Sequence, residues 1–327
     1  MGSNVKPCIV VTGGCGFVGR PLARSLLATG YDVIVLDDLS KGAPDPLLTS
    51  GVPAARLVQG SILDQELVSD VFAHVQPVAI IHLAAIHFIP DCDREPDHCV
   101  QVNVTGTHNV LRSAAALPVV PAFILASTAA VYAPSIRAHT ESDQLEPMDI
   151  YGLTKLWCEH LVRLFHARYG VPAIIARLFN VYGPGETSPH LIPSLIVQAA
   201  RSPQHILVGD LSTRRDYVYV DDVVRAILAM VLTAGYRKGL TTCNVGSGRG
   251  RSGQEVLDAL AATMRTDLRV VPDSERARVV DRPLLLANAA LAHELFGWMP
   301  TTSFEEGLAA AVRRPYAASA VQAAEPR

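Results

Sequence analysis

Through the first half of the chain, short apolar runs alternate with stretches of helical periodicity. Cys8–Thr12 (CIVVT) is a continuous apolar run that ends in glycines. Phe17–Thr29 then has the spacing of a helix, closed by Gly30. Val33–Leu36 is the next run, ending at Asp37. Arg56–Val58, Val78–Leu83, Phe123–Ala126 and Pro172–Leu178 follow, with helical stretches between them. Strands apolar on both faces and separated by helices predict a parallel sheet covered on both sides. Right-handed crossovers make it doubly wound, so the expected fold class is α/β of the Rossmann type. Beyond about Tyr182 the pattern turns irregular. Leu191–Arg201 and Asp222–Thr233 read as helices, and Ile206–Val208 and Val218–Val220 as short strands. A smaller, mixed C-terminal lobe is expected there.

Composition narrows the class. The 327 residues are 49% hydrophobic and only 18% charged, below the usual ~25%. Such a chain buries a large core, which excludes intrinsic disorder. With 28 basic and 31 acidic residues and a net charge of −3, no basic excess points to nucleic acid. No apolar run reaches the ~18 residues of a membrane-spanning helix. Met1–Pro7 has no apolar signal region, and Lys6 stands where a myristoylation signal has Ser or Thr. Cys8, Cys15, Cys92, Cys99, Cys158 and Cys243 form no C-x-x-C, and no His cluster completes a zinc set. No metal is expected, and the cysteines read as reduced thiols of a cytoplasmic protein.

The first run leads into Thr12-Gly13-Gly14-Cys15-Gly16-Phe17-Val18-Gly19. In this G-x-x-G-x-x-G spacing Gly13 permits a tight turn, Gly16 lets a pyrophosphate approach the backbone, and Gly19 lets the helix pack on the strand. The helix start adds free N–H groups and partial positive charge. Asp37 ends the second run 24 residues after Gly13, where an acid, followed here by Asp38, accepts hydrogen bonds from an adenosine ribose. A carboxylate there repels a 2′-phosphate and favours NAD over NADP. Lys41 and Arg20 lie close enough in sequence to serve NADP instead. The predicted organisation is an NAD-binding domain over 1–182, a substrate lobe over 183–316 with segments able to cross, and an Ala-rich tail over 317–327 that frays.

Tyr151-Gly152-Leu153-Thr154-Lys155 opens a helical stretch running to about Tyr169. Spacing of four puts Tyr151 and Lys155 on one face. A nearby ammonium stabilises a phenolate, which suits a proton carrier near neutral pH. Ser127-Thr128 follows a buried run and adds a hydroxyl to the same set.

These features together resemble an extended short-chain dehydrogenase/reductase of the nucleotide-sugar epimerase/dehydratase group. The resemblance runs from Val10 to about Trp298: VTGGCGFVG, the Asp37 strand end, HLAA at His82–Ala85, ASTAAVY at Ala126–Tyr132, YGLTK, RLFNVYGPG at Arg177–Gly185, RDYVYVDD at Arg215–Asp222 and NVGSG at Asn244–Gly248. It implies Tyr151 as acid/base, Lys155 on the nicotinamide ribose, and Thr128 holding the reacting sugar hydroxyl. Phe17 and Val18 would sit beside the pyrophosphate, Leu83, Ala84 and Ala85 would line the cofactor cleft, and Asn103 and Phe179 match further cofactor-side positions. Ser61-Ile62 stands where the family often has Asp-Ile at the adenine. Asn180 would reach the sugar nucleotide, and Arg215 and Arg278 its diphosphate, unless they form surface salt bridges to Asp216 or Asp281.

Departures concern the sugar. His190 stands where epimerases of the group often have Asn, and the segment from His87 to Cys92 is unlike the common versions. His87 either faces the sugar or fills the cleft wall. Thr128 is followed by Ala129 and Ala130, where dehydratases of the group have an Asp-Glu pair and decarboxylases a Glu. The resemblance therefore implies epimerisation at C4 of a nucleotide sugar, with UDP-glucose/UDP-galactose first and UDP-glucuronate second. A 4-ketoreductase and a non-enzymatic dinucleotide sensor are the alternatives. It also implies a homodimer through the helical stretches Cys99–Ala116 and Tyr151–Arg168.

Overall fold

The computed structural model describes residues 6–49, 51, 55–186, 188–234, 239–273 and 282–313. The first half runs β1 (Cys8–Thr12), α1 (Gly19–Ala28), β2 (Asp32–Asp37), α2 (Pro46–Thr49), β3 (Ala55–Gln59), α3 (Gln65–Val75) and β4 (Ala79–His82). It continues with α4 (Ile89–Arg94), α5 (Pro96–Val100), α6 (Gly106–Ala115), β5 (Ala122–Thr128), α7 (Ile150–Tyr169), β6 (Ala173–Leu178) and β7 (Asn180–Tyr182). The second half contains α8 (Leu191–Arg201), β8 (Ile206–Val208), β9 (Arg214–Tyr219), α9 (Val220–Ala234), β10 (Leu240–Val245) and β11 (Gly250–Ser252). It ends in α10 (Gly253–Met264), β12 (Val270–Pro272), β13 (Leu284–Leu285), α11 (Ala290–Phe296) and α12 (Phe304–Arg313).

Seven strands form one sheet in the order β10-β6-β5-β4-β1-β2-β3, and every neighbouring pair is parallel. The strand order reverses between β1 and β4, so their carboxyl ends open a crevice at the Gly-rich turn. One face of the sheet packs Leu22 and Leu26 of α1 with Val223, Ile227 and Met230 of α9. The other packs Phe72 of α3, Leu111 of α6 and Val162 of α7. The expected Rossmann sheet is thus present, and the smaller lobe forms beside it. There β9 pairs with β7, β11 and β13, and β8 pairs with β12.

The structure refines the sequence expectations. Segments do cross between the lobes, since α9 and β10 return from the second half to the first sheet. Val218–Val220 is not a strand of its own; β9 is longer and starts at Arg214, and α9 begins at Val220. The stretch Cys99–Ala116 is helical as expected, with a π turn at Gln101–Thr105 joining α5 to α6. The expected tail, 317–327, lies outside the described residues.

His82, at the end of β4, is fully buried between two hydroxyls. Thr107 Oγ1 donates to the Asn103 carbonyl at 2.5 Å, so its contact with His82 Nε2 at 2.9 Å has the imidazole donating. Nδ1 then accepts from Thr12 Oγ1 at 2.7 Å, which ties β1 to β4 behind the crevice. Burial, helped by the Lys155 charge, lowers the His82 pKa to about 3. Between that value and the ordinary 6.5, the unfolded chain binds a proton that the folded chain refuses. The stability contribution is therefore complete above pH 6.5 and is lost as pH falls toward 3, by up to about 1.4 kcal/mol per pH unit. Urea unfolding between pH 6.5 and 4.5 should show a steeper loss in the wild type than in His82→Asn; equal slopes would assign the loss elsewhere.

Candidate active site

Close packing dictates the Gly-rich turn. Gly13 has φ +72°, and a Cβ there would lie 2.7 Å from the Ala84 amide nitrogen. A Cβ on Gly19 would meet the Gly13 carbonyl at 2.4 Å. Gly16 differs, because its Cβ would meet only the Gly13 carbonyl, at 3.3 Å. What it leaves free is the approach to the backbone. The following helix has no side-chain cap at Val18, so the amides entering α1 stay available to an anion. Asp37 is buried, and its carboxylate takes the Cys15 amide at 2.9 Å and the Leu39 amide at 2.8 Å. It both caps its own turn and ties the glycine loop to β2. Each carboxylate oxygen retains a lone pair for a ribose hydroxyl.

The cations that left NADP open are engaged elsewhere. Lys41 Nζ lies 2.8 Å from Asp91 Oδ2, and Arg20 Nη2 donates to the Gly185 carbonyl at 3.2 Å. Asp38 turns outward and accepts from the amide and hydroxyl of Ser40. Ser61 Oγ accepts from the Leu63 amide, and Ile62 packs on Gly106. Leu83 continues from β4 with its amide on the Thr12 carbonyl, and Ala84 faces Gly13.

Behind this loop Asn103 acts as a clamp. Its Oδ1 accepts from the Ile86 amide at 2.8 Å, while Nδ2 donates to the Ile86 carbonyl and to Thr154 Oγ1, both at 2.9 Å. It therefore links the loop after β4 to α7 directly before Lys155. Helix α7 starts where Asp149 Oδ1 accepts from the Gly152 amide at 2.7 Å. Its first turn carries Tyr151, whose phenol is near enough to the Thr128 side chain at the end of β5 to feel its hydroxyl. Burial pushes the Tyr151 phenol up, and the Thr128 hydroxyl partly offsets this. Lys155 is 2% exposed, and burial lowers its pKa. Thr128 thus ends β5, and Tyr151 and Lys155 lie in the first two turns of α7.

On the side of the smaller lobe, His190 Nδ1 meets Glu186 Oε1 at 2.5 Å, and the His190 ring lies 5.8 Å from His87 and 5.4 Å from Phe88. His87 Nε2 meets Ser188 Oγ at 3.2 Å. Asn180 is exposed at the start of β7. Arg215 donates to the carbonyls of Arg214 and Arg282. Asp216 is no surface partner for it; the carboxylate is buried and accepts from the amides of Ser247, Gly248 and Ala287. Phe179 is buried against Tyr132, with its amide on the Val245 carbonyl. Arg278 and Asp281 lie outside the described residues.

Sequence reasoning missed the support beneath the catalytic trio. Arg177 and Glu159 are buried and paired through two contacts, Nε to Oε1 at 2.9 Å and Nη2 to Oε2 at 2.7 Å. Ser127 Oγ also donates to Glu159, at 2.6 Å. Arg177 Nη1 reaches Tyr132 Oη, which donates to Asn244 Oδ1 at 2.6 Å. The available signal was an Arg inside an otherwise apolar strand, since a buried charge demands a partner.

A doubly wound sheet, a Gly-rich turn at its switch point, and a Thr-Tyr-Lys set beside it define a dinucleotide-dependent enzyme of the short-chain dehydrogenase/reductase class. Residues 9–246 match the NAD dependent epimerase/dehydratase family, and the chain belongs to that family, whose cofactor is NAD. It is 31% identical to a UDP-glucose 4-epimerase of Lacticaseibacillus casei over 89% of this chain and 91% of that one. It is also 32% identical to a dTDP-glucose 4,6-dehydratase of Xanthomonas campestris, over 93% of this chain and 91% of that one. A UDP-glucose 4-epimerase of Thermotoga maritima, solved with UDP-glucose, superposes with TM-score 0.82 at 30% identity and covers 94% of this chain and 98% of that one. The UDP-glucose 4-epimerase of Brucella ovis, solved with NAD, gives TM-score 0.85 at 28% identity, with coverage of 94% and 98%.

Replacing Glu159 with Gln should strand the Arg177 charge in the interior and cost about 3–5 kcal/mol. Urea unfolding at pH 7 reads that loss directly; a change below about 1 kcal/mol would remove the pair from its supporting role.

Proposed function

We propose that this enzyme inverts C4 of a nucleotide sugar through a transient 4-keto sugar, with UDP-glucose/UDP-galactose as the first substrate pair. The carrying observation is the pair of alanines directly after Thr128. Ala129 and Ala130 are buried, and the Ala130 carbonyl accepts from Arg282 Nη2 at 2.9 Å. Neither side chain carries a proton. Loss of water across C5 and C6 needs an additional acid and base beside the reacting carbon, and this position does not provide them. Thr128, Tyr151 and Lys155 suffice for exchange at C4 alone.

The residues fit NAD. Gly16 leaves the backbone open to a pyrophosphate, Asp37 would hold the adenosine ribose, and the buried Lys155 would hold the nicotinamide ribose. NAD held there would supply a reversible hydride acceptor for C4. The chain does the rest. Thr128 orients the C4 hydroxyl, and Tyr151 takes its proton through Oη as the hydride leaves. Lys155 stabilises the phenolate against the cost of burial. After the keto sugar turns over, Tyr151 returns the proton to O4 while C4 regains hydride on its other face. His87, His190 and Asn180 contact the sugar nucleotide, and Arg215 and Arg278 its diphosphate. The remaining cofactor contacts fall to Phe17, Val18, Asp38, Ser61, Leu83 and Ala85.

The test is a panel of UDP-glucose, UDP-galactose and UDP-glucuronate, resolved by chromatography with no added reductant. Interconversion of epimers is expected, and Tyr151→Phe should lower kcat by at least ~10²-fold. A 4-keto-6-deoxy product, release of CO₂ or an absolute requirement for added NAD(P)H would overturn the proposal.

The assembly we propose is a C2 homodimer of this soluble, cytoplasmic enzyme. Trp157 and Leu164, seven residues apart on α7, are 41% and 54% exposed, which places an apolar stripe on the outer face of the helix. Self-complementary closure on a two-fold axis covers such a stripe. Light scattering at micromolar concentration should give twice the chain mass, and Trp157→Glu should shift it to that of one chain.

A further inference from the structure

Cys92 in α4 and Cys99 in α5 flank the break between the two helices at Glu95. Both are fully buried, and their sulfurs lie 2.6 Å apart. That separation falls between an S–S bond of ~2.05 Å and a non-bonded contact of ~3.5 Å. All six cysteines are free thiols, and among the described residues no other two are hydrogen-bonded to each other.

The pair touches the clamp behind the active site. Cys92 Sγ donates to the Ile86 carbonyl at 3.6 Å, and Asn103 Nδ2 donates to Cys99 Sγ at 3.4 Å. The two thiols are chemically unequal. The contact with Cys92 lowers the Cys99 thiol against the opposing effect of burial, and the Thr154 hydroxyl and Lys155 charge act in the same direction. The same contact, with burial, pushes Cys92 up. One sulfur is thereby favoured as nucleophile and the other as the thiol that resolves it.

We propose that Cys92 and Cys99 form a reversible dithiol–disulfide site that reacts with small hydroperoxides and slows the enzyme when oxidised. The Cys99 thiolate attacks the distal oxygen of ROOH. The O–O bond breaks, ROH leaves with a proton, and Cys99 becomes a sulfenic acid. Cys92 sulfur then attacks the Cys99 sulfur, the S–O bond breaks, and water leaves with the Cys92 proton. Two thiols are oxidised, one peroxide is reduced, and the atoms balance. A thiol reductant reverses the change by exchange. The new bond withdraws the Cys99 sulfur from the Asn103 amide and so loosens the clamp that holds Ile86 and Thr154 around Tyr151 and Lys155.

Arg94 lies between the two cysteines, so trypsin separates them into residues 57–94 and 95–112. The purified protein should be treated with hydrogen peroxide, alkylated and digested without reductant. A loss of two hydrogens from the intact mass, with these two peptides linked, is expected, and dithiothreitol should separate them. Absence of the linked pair, or linkage of Cys99 to Cys158, would overturn the site. Turnover should fall at least threefold on oxidation, return with dithiothreitol, and stay constant in Cys92→Ser under the same treatment. A linked pair with unchanged turnover would overturn the control of activity. The turnover arm rests on the proposed epimerase reading, whereas the peptide map does not. An enzyme inactive before any peroxide is added would count against the epimerase alone.

Discussion

The ion pair between Arg177 and Glu159 is the constraint on which the active site depends. Arg177 comes from β6 and Glu159 from α7, and both side chains are removed from solvent. Desolvating two charges is costly, so the pair holds only with its remaining donors and acceptors filled. Ser127 from β5, Tyr132 after it, the Glu141 carbonyl and Asn244 of β10 fill them. Four separately encoded segments must therefore arrive together before any is satisfied. Lys155 lies one turn before Glu159 on α7, and Thr128 follows Ser127 on β5. The network thus fixes the relative placement of the trio without touching a substrate.

A second set of contacts works from the other side. His82 holds β1 to β4, and Asn103 holds the loop after β4 to α7. The π turn that carries Asn103 inserts one extra residue per turn, and such insertions concentrate at functional sites. Here it re-aims a side chain that a regular helix would direct elsewhere. The cofactor cleft is thus lined by short backbone turns whose positions are set by buried polar residues behind them.

Much of this was legible in sequence. Continuous apolar runs marked the parallel strands because both faces are covered, and the glycine spacing marked the turn because Gly13 and Gly19 tolerate no Cβ. Tyr151 and Lys155 were legible through helical spacing. Cys99–Ala116 was legible as helical, but its π turn was not, because one inserted residue leaves no composition signal. The role of Asp216 was hidden for a different reason. Its partners are backbone amides at Ser247, Gly248 and Ala287, and no side-chain pattern announces them. Which segments cross between the lobes was not legible, because β10 is apolar like any sheet strand and nothing local says which sheet receives it.

The return of β10 has a consequence for how the protein can be divided. A fragment ending at Tyr182 would keep the glycine turn and the Thr-Tyr-Lys set, yet lack both α9 and the strand bonded to β6. Its β6 would become a bare edge of Ala, Ile and Leu with unpaired amides, the kind of surface that recruits other chains. The apolar face of α1 would lose its cover at the same time. The nucleotide-binding half is therefore no independent module. Synthesis must pass Val245 before the sheet can close, and the nascent chain must keep its first six strands from aggregating until then.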